Sequence, residues 1–294
     1  MTTPETLANA LPGPMTGPEA DARLWRRLLR DRRVAAGSAV VLGFVLIALA
    51  APVLAPHRPF AILEPLAEPS GTYPFGTDSL GHDVLSFMIW GSRVTLVFAL
   101  GAAAVSFVVG VLVGGLPAYL GGRVDDLVSR FVELVLMIPQ LFLIILVVAM
   151  LGSNQTVVMI VVGLTIWPAN ARLMRAQVLT LKERTFVSAS VSAGHRRSFV
   201  LYRHVIPNGI GPVVAQSTLQ MAHAVLIEAG LSFLGLGDPN NASWGQLLHD
   251  AQSNLSAGPW LAVAPGLGLL VLLLSLHLVG DGLQDVLNPR RAHD

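Results

Sequence analysis

The sequence predicts an all-α, polytopic membrane protein with six transmembrane helices, and three observations carry that prediction. Of 294 residues, 53% are hydrophobic and only 13% charged, against about 25% charged in a soluble globular domain, and the mean hydropathy is +0.64. Six stretches are long and apolar enough to cross a hydrocarbon core of about 30 Å, which takes about 20 residues of helix. The basic residues then fall almost wholly on one side of those stretches. Overall the charges nearly cancel, 19 Lys and Arg against 18 Asp and Glu, so no bulk field points to nucleic acid. Cysteine is absent, which removes disulfides, thiolate catalysis and thiolate-ligated metal sites.

The spans are expected at about Val34 to Leu54, Val94 to Leu116, Leu134 to Leu151, Thr156 to Met174, Gly209 to Glu228 and Pro259 to Gly280. Each must be helical, because a backbone in lipid has to satisfy its own hydrogen bonds. Pro139 and Pro168 are expected to kink spans three and four, and Arg172 and Arg175 lie where they can snorkel to headgroups. The first span, about 21 residues behind a polar and basic leader of about 33, exceeds a signal-peptide core and is expected to be retained.

Placing the N-terminus in the cytoplasm puts six arginines before span one, Arg123 and Arg130 after span two, and Arg290 and Arg291 at the end of the chain. Seven more basic residues, Arg172, Arg175, Lys182, Arg184, Arg196, Arg197 and Arg203, flank or occupy the loop between spans four and five. Seventeen of 19 are then cytoplasmic, with Arg58 and Arg93 outside, so both termini are expected inside a plasma (inner) membrane. Trp90 and Trp260 fall at outer span ends, where amphipathic rings anchor. Residues 1–33 read as a cytoplasmic tail. Its Leu24, Trp25, Leu28 and Leu29, beside Arg23, Arg26, Arg27 and Arg30, form either an interfacial helix or a plain topology signal. Next come span one (34–54), an outer loop (55–93), a core of five spans (94–288) and a cytoplasmic tail (289–294).

The loop at 176–208 is the informative one. A connection between spans needs only a few residues, yet this one carries the largest basic cluster in the chain. Glu183 to Ala193 is compatible with a helix, Gly194 with a left-handed cap, and His195 to Val205 with a second helical run, which Pro207-Asn208 is expected to end. Phe186, Val187, Val191, Phe199, Val200 and Leu201 add apolar surface. Such a helix pair at the membrane face is something a cytoplasmic motor could push against.

Within the spans, Glu228, His223 and His277 are ionisable and so candidates for a path or gate, Glu228 equally for a structural hydrogen bond in the outer gate region and the histidines otherwise being satisfied interior groups. Asp78, His82 and Asp83 could ligate a metal by type, but a turn entering a helix N-terminus explains them better. Enzyme motifs are missing. The single lysine, Lys182, has no glycine-rich loop before it, and neither H-E-x-x-H nor G-x-S-x-G occurs. An ion-coupled secondary transporter would also suit six spans with prolines.

The residues carry a resemblance as well. Phe186-Val187-Ser188-Ala189-Ser190, Gly194 and Arg203-His204-Val205-Ile206-Pro207-Asn208 resemble the Glu-Ala-Ala coupling loop of ABC-importer membrane subunits, with the family spacing from Ser190 to Gly194 to Pro207. Pro74-Phe75-Gly76-Thr77-Asp78, Gly81-x-Asp83-Val84-Leu85-Ser86, Glu228-Ala229-x-Leu231-Ser232-Phe233-Leu234-Gly235-Leu236-Gly237 and Ser243-Trp244-Gly245 are similar to the C-type permease subunit of dipeptide, oligopeptide and nickel importers. The match spans about residues 30 to 290. Ser188 replaces the family glutamate, Ser190 the second alanine and His82 a common arginine, which puts in doubt an ion pair between the loop and its ATPase. The resemblance implies a type I permease fold that imports short peptides, or else nickel, haem or another small solute. It implies a B-type permease partner, two ATP-binding subunits that carry the ATP and Mg, and a substrate-binding protein outside. No cofactor, metal or catalytic residue is expected in this chain. Coupling would rest on Ser188, Ala189, Ser190, Gly194, Arg196, Arg197, Arg203 and Pro207.

Overall fold

A computed structural model describes residues 31–287. The expected interfacial helix at 24–29, the tail at 289–294 and Arg290 and Arg291 lie outside the described residues. Asp31 caps α1 (Arg32–Leu49) by accepting from the Arg33 N–H at 2.8 Å. A short α2 (Ala51–Leu54) and an irregular segment lead to α3 (Val84–Leu120) and α4 (Gly122–Met137). After these come α5 (Gln140–Leu151), α6 (Gln155–Lys182) and α7 (Thr185–Ser192). The short α8 (Arg197–Val200) runs through a π-helical turn, Leu201–Val205, into α9 (Ile206–Phe233), and α10 (Trp244–Asn254) and α11 (Trp260–Leu287) complete the order.

Five runs are long and apolar enough to cross a membrane: α1, α3, α6, the continuous stretch Arg197–Phe233, and α11. The pair α4–α5, bent by 81°, makes a sixth if counted as one span. Span two was expected from Val94, but the helix begins ten residues earlier at Val84. Asp83 explains the early start: its carboxylate accepts from the Ser86 N–H at 3.0 Å and satisfies an otherwise orphaned donor.

The two prolines singled out behave differently. Ile138, driven to an extended conformation (φ −79°, ψ 124°) by the ring that follows it, ends α4, and Pro139 stands at the N-cap of α5. Pro168 lies buried inside the unbroken 28-residue α6, because α6 is held along its length against α3. Pro207, expected to end a helix, instead opens α9. The π-helical turn before it absorbs the missing N–H, so chain direction continues.

The tightest packing is between α3 and α6. Gly110 and Gly114, spaced G-x-x-x-G, let the backbones touch: a Cβ would collide with the Asn170 Cβ at the first and with the Ala171 carbonyl oxygen at the second. Lipid tails offer no hydrophobic drive between helices, so close backbone approach and buried hydrogen bonds must supply the contact. A node of the latter sits beside the glycines. The Asn170 amide donates to Gln220 (2.7 Å), Ser106 and Ser217 (both 3.2 Å), and Gln220 in turn donates to the Ile166 carbonyl at 2.8 Å, tying α3, α6 and α9.

Chain direction gives the bundle two distinct ends. At one, which we term the cap, α3 and α6 begin and α9 finishes. Segment 55–83 folds on itself there, with the Leu63 and Leu66 N–H groups donating to Gly81 and Asp78 carbonyls. It is pinned to α10 and α11: the Ser79 hydroxyl and N–H both donate to Asp250, and the Trp260 indole donates to the Thr77 carbonyl at 3.3 Å. At the other end, the elbow, α3 and α6 finish and α7 and α8 sit.

Candidate functional site

Gly194 organises the elbow. Helix α7 closes in a Schellman arrangement, with the His195 N–H reaching back to the Ser190 carbonyl at 3.4 Å and the Gly194 N–H to Val191 at 3.0 Å. That requires a left-handed residue, and Gly194 adopts φ +83°. Nothing lies within 4 Å of where its Cβ would be, so the requirement is conformational and not steric. The elbow is rooted by one side only: Val187, Val200, Leu201 and Val205 pack with Val111, Ala118, Met174, Val178 and Val213 of the long helices.

Its other side is bare. Phe186, Val191, Phe199 and Tyr202 are exposed large apolar groups, and Arg184, Arg196, Arg197 and Arg203 are exposed among them. His195 stacks on Phe199 with ring centroids 4.9 Å apart, and His204 meets the same ring edge-on at 5.8 Å. Gly194, His195, Arg196, Phe199, Tyr202 and Arg203 frame an open groove of about 640 Å³. Of the residues expected to couple, Gly194, Arg196 and Arg203 therefore share one surface. Ser188 and Ala189 are exposed on α7, Ser190 is half-buried, and Arg197 and Pro207 are exposed nearby. The Ser188 hydroxyl reaches only its own helix, toward the Arg184 carbonyl at 3.5 Å.

At the cap, Glu228 is 6% exposed and accepts from Ser243 at 2.7 Å and Ser232 at 2.9 Å. Ser243 is also the N-cap of α10, closed by a capping box with Gln246, so Glu228 fastens α9 to the start of α10. A second clasp is Asp238, which accepts from the N–H of Gln155 (3.1 Å) and Asn240 (2.9 Å) and the Asn241 amide (2.9 Å). Burial raises its carboxyl, but those backbone and amide donors together outweigh it and hold Asp238 below the usual carboxylate range. Asp78 bonds His82 at 2.7 Å and Asp83 caps α3, with His57 at 3.5 Å. The three acidic and imidazole groups thus serve a turn and a helix start. Among the described residues no group of three or more His, Asp or Glu could hold a metal.

The two histidines expected inside are not interior. His277 is exposed and bonds its own helix at the Leu273 carbonyl, 2.8 Å away. His223 is exposed on α9 and lines a groove of about 210 Å³ with Gln140, Thr165, Gln216 and Gln220. Those neutral polar residues were missed in the sequence, where only ionisable groups drew notice, and an amide inside an apolar span is the signal that would have found them. Also missed was a bidentate pair. Arg175, expected to snorkel, donates to both Asp125 oxygens at 2.7 and 2.8 Å and joins α4 to α6, beside a cavity of about 340 Å³ that Arg172 and Glu133 also line.

Comparison with known proteins adds to this geometry. Residues 106–293 match the family described as "Binding-protein-dependent transport system inner membrane component", and residues 22–69 match the "N-terminal TM domain of oligopeptide transport permease C". The chain is 37% identical over 281 residues to a putative peptide permease protein of Brucella suis, covering 94% of this chain and 92% of that one. It is 34% identical to the oligopeptide transport system permease protein OppC of Haemophilus influenzae (90% of this chain, 87% of that one). Against the dipeptide transport system permease protein DppC of Bacillus subtilis, identity is 33% (90% and 84%).

Proposed function

The chain belongs to the family of binding-protein-dependent transport system inner membrane components, and from that premise we propose that it is the C-type permease subunit of an ATP-driven ABC importer carrying dipeptides or oligopeptides inward. A transporter permease subunit is not itself catalytic, so the hydrolysis belongs to two ATP-binding partners, which carry the ATP and Mg. A B-type permease completes the path, and an extracytoplasmic binding protein delivers the solute. The peptide reading is supported by relatives named as peptide, oligopeptide and dipeptide permeases.

One observation carries the coupling role: an exposed helix–glycine–helix elbow whose buried face is continuous with the long helices. Force applied to its bare apolar and cationic side moves α6 and α9 directly, since α7 adjoins the end of α6 and α8 runs unbroken into α9. Packed helices have discrete arrangements and do not deform continuously, so such a push selects between inward- and outward-facing states. The elbow end accordingly faces the cytoplasm, as the arginine bias requires, and the cap end faces outward. With Ser188 in place of a carboxylate, the loop offers cations and aromatic rings, which suit an acidic, apolar cleft on the ATPase.

The test is uptake by the assembled complex in proteoliposomes. Peptide uptake that needs ATP and persists when ion gradients are collapsed supports this reading; uptake that follows the gradients and ignores ATP overturns it.

A further inference from the structure

Groups that carry no commitment at membrane depth are costly, because lipid supplies them no partner. The groove between α5, α6 and α9 holds one such side chain and two that are only half committed. Thr165 lies ten residues into α6, about 15 Å from its start, so the groove opens near mid-span. Gln140 donates to Thr165 at 3.2 Å and uses one half of its amide. Gln216 accepts from Gln284 at 3.3 Å and likewise uses one half. His223 has no hydrogen-bond partner among the described residues. Gln220 differs: fully engaged with Ser106, Asn170 and Ile166, it forms a fixed back wall.

The open set is therefore one amide acceptor, one amide donor and one imidazole, with no Asp, Glu, Lys or Arg among the lining residues. A peptide bond presents a donor and an acceptor of the same neutral kind, whatever its side chain. At about 210 Å³ the groove is smaller than the roughly 300–1,000 Å³ of an enclosed small-molecule site, as one wall of a shared path would be. We propose that Gln140, Gln216 and His223 form a peptide-backbone-contacting wall of the translocation path, indifferent to the charge of the passing side chains. This rests on the peptide-importer reading above, and it leaves choice among peptides to parts of the assembly other than this wall.

The experiment compares Gln216→Leu, His223→Leu and the double variant with the unaltered complex, each purified with its partners and assayed for uptake of acidic, basic and apolar tripeptides. Preferences of the binding protein cancel in the variant-to-parent ratio. The expected result is a drop of about three- to tenfold per removed hydrogen bond, equal for all three peptides, with the partners still co-purifying. Uptake equal to the parent would overturn the inference while leaving the importer reading intact. A drop confined to one side-chain class, or loss of the partner permease from the variant complex, would overturn it too, the latter marking the groove as a seam between subunits. Absence of peptide uptake by the unaltered complex would remove the importer reading and this inference together. Gln216→Cys, in a chain without native cysteine, gives a second readout: thiol labelling should fall when a peptide is present during turnover, and unchanged labelling would count against the wall.

Discussion

The cap and the elbow are built on opposite principles. The cap is cross-linked by side chains: Glu228 to Ser232 and Ser243, Asp250 to Ser79, Asp238 to the start of α6, and two indoles to carbonyls of distant segments. The elbow has one apolar root and almost no side-chain bonds beyond its own helices. Many buried, reciprocal hydrogen bonds make the first resistant to local opening, whereas the second sits where few contacts oppose movement. On the coupling role proposed above, a lever needs a compliant end and a fixed one, and the contrast between elbow and cap fits that requirement.

The largest effect expected from breaking this contrast lies at the cap. Trp244 is 1% exposed, packs near Phe44 and donates to the Met88 carbonyl at 2.9 Å. Trp244→Ala should cost about 3–5 kcal/mol, read as a large fall in Tm of the solubilised complex. Next, Ser243→Ala removes both the α10 cap and a partner of buried Glu228, for about 1–2 kcal/mol. It should lower Tm by a smaller step without loss of the proposed ATP-binding partners in co-purification.

Gly194→Val carries a backbone penalty of about 1–2 kcal/mol for the left-handed conformation, with no clash to add. Because the penalty falls on the exposed end of the short α7, which can shift without opening the bundle, Tm should move less than in Ser243→Ala while ATP-dependent uptake falls; a normal uptake rate would refute coupling through Gly194. Acid sharpens the comparison further. Asp238 has its folded-state carboxyl lowered, so its contribution is complete above the unfolded value near 3.8 and is lost as pH falls through the folded value. The Tm gap between the parent and Asp238→Asn should therefore shrink below about pH 4. Smallest are Arg196→Ala and Arg203→Ala. Exposed cations contribute little individually, so each should weaken ATPase association about two- to fivefold at low salt and not at all at high salt.

Several of these features were legible in advance. The length of the apolar stretches gave six candidate spans, Gly194 between two helical runs marked the left-handed turn, and Asp83 was recognisable beside a helix start. Each is a local rule, read from neighbours within a turn or two. Pro139 and Pro168 show where such rules stop. The same residue type breaks one helix and not the other because α6 is held against α3 on both sides of its proline, and α4 and α5 have no comparable support. The groove of Gln140, Thr165 and Gln216 and the pair Asp125–Arg175 escaped for a related reason: their members are 25 to 76 residues apart.

The amino-acid sequence alone determined that this chain lives in a bilayer as a helical protein, since a backbone in lipid has no alternative and composition decides which segments enter. Which helices touch, which proline bends its span and which polar side chains are left open at mid-membrane were settled only by tertiary packing. Without a hydrophobic force between spans, those outcomes turn on close backbone contacts such as Gly114 with Ala171 and on single hydrogen bonds, and neither has a signature that can be read from one strand of residues at a time.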